Sequence, residues 1–180
     1  MSHRSKVVWS EGLFLRPQHF QQHDRYLERF VHLRSAALRS HPWGFSELRL
    51  DRDLLALGKV AISSAQGVFP DGTPFSMPDD DQLPAPIDID EKVRDQLIYL
   101  CLPVQRPETQ EIDLAGSEDI LARYDCGELE VRDVTSGSAG TAPMQIGSLK
   151  TKLLLASEDQ SEYARIPVAH VVEAKVDKQV

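Results

Sequence analysis

The stretch QLIYLCLPV at 96–104 constrains the fold more than any other part of the chain. It is apolar almost without interruption, and polar segments bound it on both sides. A run of this length and composition reads as a strand covered on both faces. Such a strand needs neighbours, and the rest of the sequence offers further strand patterns. Residues 43–50 alternate imperfectly through Phe45, Leu48 and Leu50. Residues 59–69 place Val60, Ile62 and Val68 on one pleat face and end in Phe69-Pro70-Asp71-Gly72. That tetrapeptide has proline at the second turn position and glycine where φ turns positive, which predicts a hairpin.

Residues 128–134 alternate charge with Leu129 and Val131, as in a half-exposed strand. A half-buried strand over 149–155 sets Leu149, Thr151, Leu153 and Leu155 against Lys150 and Lys152. Residues 163–176 set Ile166, Val168, His170, Val172 and Ala174 on one face. RDLLALGK at 52–59 is ambiguous between helix and strand, and 76–90 and 136–143 read as loops. Six or more short strands without helix–strand alternation predict a mainly β fold, an antiparallel sandwich or barrel.

One helix is expected, from Pro17 to about Leu38. Proline suits a first helical position, although Arg16 before it supplies no capping acceptor. Phe20, Leu27, Val31 and Leu38 share a face, with Phe30 and Leu33 beside them. This stripe is expected to pack on a sheet. His41-Pro42 ends the element.

Chemistry-bearing patterns are few. His19 and His23 stand at i and i+4, the spacing of helical zinc ligands. A catalytic version carries glutamate after the first histidine, and Phe20 occupies that place. No cysteine or acidic residue follows on the same face, so surface histidines are the expectation. His170, among Ile166, Val168 and Val172, reads as a core or interface histidine. No G-x-S-x-G nucleophile turn occurs. Asp79-Asp80-Asp81 lacks calcium-loop spacing and reads as a solvated acidic tip, and SGSAG lacks the lysine of a phosphate loop. No cofactor is expected. Cys101, inside the apolar run, reads as a buried small hydrophobe. The net charge of -8 argues against nucleic-acid binding. No apolar run approaches the roughly 20 residues of a membrane helix, and no signal peptide is evident, so a cytoplasmic location without membrane insertion is the default.

The leader ahead of the helix carries Trp9, Leu13, Phe14 and Leu15, flanked by Glu11 and Arg16. Two readings are open: these side chains fold back on their own sandwich, or they form a docking peptide. The run V-x-W-S-E-G-x-F-L-R-P-Q-H-F-Q-Q-x-D-R-Y, Val7 to Tyr26, resembles the opening of the TssK family of type VI secretion baseplate subunits. LLALG, GVFPDGTPF and QLIYLCLPV are similar to the continuation of that family, so the resemblance spans the whole chain.

The resemblance implies a structural protein without catalysis. It implies a cytoplasmic homotrimer linking the phage-like baseplate to the membrane complex. Its N-terminal domain is a β-sandwich similar to the shoulder of siphophage receptor-binding proteins, in contact with the wedge subunits TssG and TssF. A helical neck and a C-terminal head, which meets the membrane complex, follow in that family. The expected organisation is therefore a docking leader over 1–16, a sandwich domain with its helix over 17–176, and the start of a linker over 177–180. Without neck and head, a monomer or weak trimer is expected. In the leader, Trp9, Leu13, Phe14 and Leu15 would be partner contacts, with Glu11 and Arg16 at the rim, and the free leader would be loosely held. The alternatives are a carbohydrate-binding, phage-adhesin-like sandwich and a His19/His23 metal enzyme.

Overall fold

The computed structural model describes residues 4–106, 109–116, 120–135 and 140–173. In chain order these form α1 (Pro17–Ala36), β1 (Gly44–Leu50), α2 (Arg52–Ala56), β2 (Lys59–Val60), β3 (Ile62–Val68), β4 (Pro74–Met77) and β5 (Ile87–Asp88). β6 (Arg94–Pro103), β7 (Ile112–Asp113), β8 (Tyr124–Arg132), β9 (Thr141–Leu149), β10 (Lys152–Leu155) and β11 (Tyr163–Glu173) follow. The fold is mainly β, in antiparallel sheets, with an N-terminal helix. One sheet has the order β1-β3-β4 and another β10-β6-β11. β2 pairs with β5, and a third three-stranded sheet runs β7-β8-β9, parallel at β7–β8 and antiparallel at β8–β9.

The first two sheets share one core. β6 sends Ile98, Leu100 and Leu102 into it, where they meet Ile62 and Ala65 of β3, Phe75 and Met77 of β4, Leu153 of β10 and Ile166 of β11. Each such side chain contributes about 1.5–3 kcal/mol on burial. The opposite face of β6 is covered differently. Lys152 and Arg165 are the cross-strand neighbours of Cys101, and Arg165 lies 5.0 Å over the Tyr99 ring. Long cationic stems cover this face in place of a second layer. Burial pushes the Cys101 thiol up from 9.0 to about 11, against the opposing charges of Arg165 and Lys152. Cys101 is thus a buried, weakly acidic thiol.

The Phe69–Gly72 turn forms as its residues dictate. Gly72 N–H donates to the Phe69 carbonyl at 2.9 Å, Phe69 N–H donates to the Thr73 carbonyl at 2.8 Å, and Gly72 has φ +92°. This turn joins β3 to β4. Arg123, only 4% exposed, reaches it from the root of β8. Its guanidinium donates to Asp71 Oδ2 at 2.6 Å, to Thr73 Oγ1 and to the Pro103 carbonyl at the end of β6.

The structure corrects several expectations. Residues 149–155 are not one strand: β9 ends at Leu149, and β10 starts at Lys152 after Lys150 N–H donates to the Arg123 carbonyl. A register shift between Pro167 and Ala169 makes Ile166 and Val171 the buried positions of β11. His170 is therefore at the surface, with Nε2 2.8 Å from Asp95 Oδ1, rather than in the core. Asp81 is not a solvated tip. It accepts from Ser76 N–H at 3.2 Å and Leu149 N–H at 3.1 Å, tying β4 to β9. Residues 136–139 of the expected loop, and Ala174 with the 177–180 linker, lie outside the described residues.

The largest correction concerns α1, which buries no residue. Leu27 is 42% and Val31 60% exposed, and Phe20, Phe30 and Leu33 are exposed beside them. The helix turns its polar side inward: His32, Arg25 and Tyr26 are half-buried. His32 lies so close over Gly72 that a Cβ there would come within 2.0 Å of Nδ1. Periodicity identifies an apolar stripe but not the partner that covers it.

Two stability experiments follow. Arg123→Ala takes a buried donor from Asp71 Oδ2, Thr73 Oγ1 and the Pro103 carbonyl, so urea unfolding followed by circular dichroism is expected to show a loss of about 3–5 kcal/mol. Leu27→Asp, measured at low protein concentration, is expected to stay within about 0.5 kcal/mol of the parent, since it alters an exposed site.

Candidate functional site

The leader folds back along α1, and at its start Arg4 donates to Gln105 Oε1, just past β6, at 3.4 Å. Gln22 Nε2 donates to the Ser5 carbonyl at 2.6 Å. Trp9 then lies beside one face of the helix, its ring 6.3 Å from those of His19 and Phe20 and 6.0 Å from that of His23, edge-on to the last. The chain reverses at Ser10-Glu11-Gly12-Leu13, where Leu13 N–H donates to the Ser10 carbonyl at 3.2 Å and Gly12 has φ +78°. Glycine at the third position with positive φ is the mark of a type II turn. Glu11-Gly12 is the sequence signal for this reversal.

The helix start supplies its own cap. Arg16 N–H donates to His19 Nδ1 at 3.1 Å, so a side chain of the first turn reaches back to the residue before it. His19 is therefore a cap and a ring neighbour of Trp9, and His23 is the other wall of the Trp9 seat. Among the described residues, no group of three His, Cys, Asp or Glu side chains converges as metal ligands.

The expected contact residues are thereby sorted. Trp9 is 46% exposed, with its remaining surface against α1, and Leu13 is half-buried. Phe14 is 84% exposed and Leu15 is exposed next to it, between the turn and the helix. Glu11 and Arg16 are exposed on either side. Two large apolar side chains held on a short bridge between a turn and a capped helix form a presented surface.

Below α1 lies a cleft of about 640 Å³, lined by Arg25, Glu28 and His32 from the helix and by Asp71, Arg123 and Tyr124 from the sandwich. Desolvation in this cleft raises the Glu28 carboxyl above the ordinary carboxylate range, and the charge of Glu111 adds to it. Desolvation likewise raises the Tyr124 hydroxyl. Close by, Lys150 is held by Asp113 at 2.9 Å and Asp125 at 3.1 Å. Burial opposes the Lys150 charge, but the hydrogen bonds to the two carboxylates outweigh it and raise its pKa. Asp113 Oδ1 also accepts from Ala115 and Gly116 N–H. These polar groups are committed to one another and hold loops in place.

A second uncovered surface escaped sequence reading. β8 and β9 form a two-stranded ribbon that leaves the sandwich; β7 pairs with it only at Tyr124 and Asp125. Register places Leu129 opposite Met144, Gly127 opposite Ile146 and Val131 opposite Ala142, so these six share one face. Leu129 is 50% and Met144 53% exposed.

A β-sandwich carrying a bare helix, a presented leader and a bare ribbon is a module built for protein assembly. Residues 19–180 match the family described as Bacterial Type VI secretion, with EvfL, ImpJ and VasE among its names, and the chain belongs to that family. It is 49% identical over 178 residues to the type VI secretion system baseplate component TssK1 of Pseudomonas aeruginosa, a match that takes in 99% of this chain and 40% of that protein. A crystal structure of TssK superposes with a TM-score of 0.90 at 40% identity, over 98% of this chain and 40% of the other. A chain of the TssK-TssF-TssG baseplate subcomplex, solved by cryo-electron microscopy, shares the fold with a TM-score of 0.83 at 22% identity, over 97% of this chain and 58% of the other. The chain thus spans about two fifths of the length of TssK1.

The seat of Trp9 has a direct test. Trp9→Ala is expected to free the leader, so that limited proteolysis cuts within residues 10–16 several-fold faster. Core stability should change by less than about 1 kcal/mol, because the ring packs on an exposed helix. Equal cutting rates in variant and parent would show that Trp9 does not hold the leader.

Proposed function

We propose that this chain is a non-catalytic, cytoplasmic adaptor domain of a type VI secretion baseplate, and that its leader docks on the wedge subunits TssF and TssG. The observation that carries this reading is the leader itself. Phe14 and Leu15 stand exposed at a fixed place, anchored on one side by Trp9 and on the other by the capped start of α1. A few large apolar side chains in such a position supply most of an interface's energy, with Glu11 and Arg16 at the rim setting register. The related TssK-TssF-TssG baseplate subcomplex supports the choice of partner. In the whole protein this domain would be one end of a link toward the membrane complex. Among the described residues no helix is long and apolar enough to cross a membrane.

The domain also associates with copies of itself in this reading, toward the trimer that the resemblance implies. The exposed Phe20, Leu27 and Val31 row supplies an apolar seam for it, so self-association does not depend on a neck alone.

Removing residues 1–15 tests the docking reading. The truncated chain is expected to melt within a few degrees of the parent, because the leader contributes nothing to the core, and to lose capture of a purified TssF–TssG complex. Capture at full strength would move docking elsewhere on the sandwich. A loss of several kcal/mol would make the leader a structural part of the domain.

A further inference from the structure

The sheets of the sandwich meet through buried side chains, whereas α1 buries none. Among the described residues α1 makes no hydrogen bond and no ion pair to the sandwich. Its side-chain bonds run to Ser5, to Arg16 and within the helix. The cleft of about 640 Å³ lies where a packed interface would be. One close approach crosses it: His32 rests on Gly72 of the β3–β4 turn. The far end of the helix is undercut as well. A second cavity, of about 870 Å³, is lined by Ser35, Leu38 and Trp43 on one side and by Phe45 and Phe75 of the sheet on the other. Residues 37–43, which join α1 to β1 along this cavity, belong to no helix or strand, and Leu38 among them is 82% exposed.

Leader and helix, by contrast, are tied to each other. The bond from Gln22 to Ser5, the ring of Trp9 against His19, Phe20 and His23, and the Arg16–His19 cap join them at three points. An element bound well to its leader and poorly to the body behind it moves as a unit, and a few loop residues absorb the change. Charge favours that movement. Glu28 lines the cleft from the helix side. Desolvation, then the charge of Glu111, weighs against its ionised form, with Arg123 and Arg25 opposing in part. Among the described residues neither Glu28 nor Glu111 makes an ion pair. An ionised Glu28 is therefore better placed with the helix away from the sandwich.

We propose that α1 and the leader form one arm, hinged at residues 37–43, which sits on the β3–β4 turn through His32 and lifts from the sandwich as a body. Lifting carries Phe14 and Leu15 to a new position relative to the sheets without undoing the leader. The device belongs to the single chain and operates whatever the leader binds.

Distances between paired spin labels test the hinge. The labels are placed in a Cys126→Ser chain, in which the remaining Cys101 is buried. Leu33→Cys on α1 is paired with Ser63→Cys on β3, and pulsed electron resonance is recorded at low protein concentration. Ser63→Cys with Lys92→Cys, ahead of β6, is the control pair and reports an intact fold in each variant. Two populations, seated and lifted, are expected for the helix pair, and one narrow distance for the control. His32→Ala removes the contact with Gly72 and is expected to raise the lifted share several-fold. Glu28→Gln removes the disfavoured charge and is expected to lower it. A single narrow helix distance in the parent and both variants would overturn the hinge. Equal broadening of the control pair would also overturn it, since the whole domain would then be loosening. A lifted share unmoved by His32→Ala would overturn the seat on Gly72, and one unmoved or raised by Glu28→Gln would overturn the part given to Glu28.

Discussion

The buried guanidinium of Arg123 sets the terms for everything around it. A charge removed from water is tolerated only when its donors are met, and three acceptors on two elements meet them. Asp71 and Thr73 belong to the hairpin turn between β3 and β4, and the Pro103 carbonyl closes β6. The turn, the end of the central strand and the start of β8 can therefore move only together. His32 rests on Gly72 of the same turn, which makes this knot the seat of α1 as well. Sandwich, helix and ribbon meet at this joint, and Asp81 adds a second tie from β4 to β9.

Polar groups in that joint have a consequence for the rest of the helix. With His32 and Arg25 against the sandwich, Leu27 and Val31 come to the rim of the cleft and stay largely exposed. The ordinary arrangement of a surface helix is reversed, and most of the apolar side is exposed. The ribbon repeats the logic in β form, with Leu129 and Met144 on an uncovered face. In both elements the polar residues fill the joints beneath and the large apolar ones are exposed.

Much of this was legible in the residues. The β6 run, the Phe69–Gly72 turn and the proline-started helix each carry a local physical signal, and each forms where that signal lies. What was not legible depended on neighbours. Leu27 and Val31 looked like core residues because periodicity reports a stripe and is silent about its cover. His170 was misplaced because a single register shift in β11 reverses inside and outside, and no residue type announces it. Asp81 looked like a solvated charge because one of its partners, Leu149 N–H, lies far away in sequence. The leader was recognised as special from Trp9 and Phe14, but its fold along α1 needed the turn at Gly12 and the bond from Gln22 to Ser5.

The chain has two tryptophans, and neither lies in the core. Trp9 sits on the helix beneath the leader, and Trp43 stands partly exposed ahead of β1, 6.3 Å from the ring of His41. The sandwich interior relies on Phe69 and Phe75 for its aromatic mass. Intrinsic fluorescence of this protein therefore reads the margin of the molecule and not its centre. Emission from Trp9 responds to whether the leader is seated against His19, Phe20 and His23. Whatever displaces the leader is written in the tryptophan spectrum, and melting of the sheets registers there only second-hand.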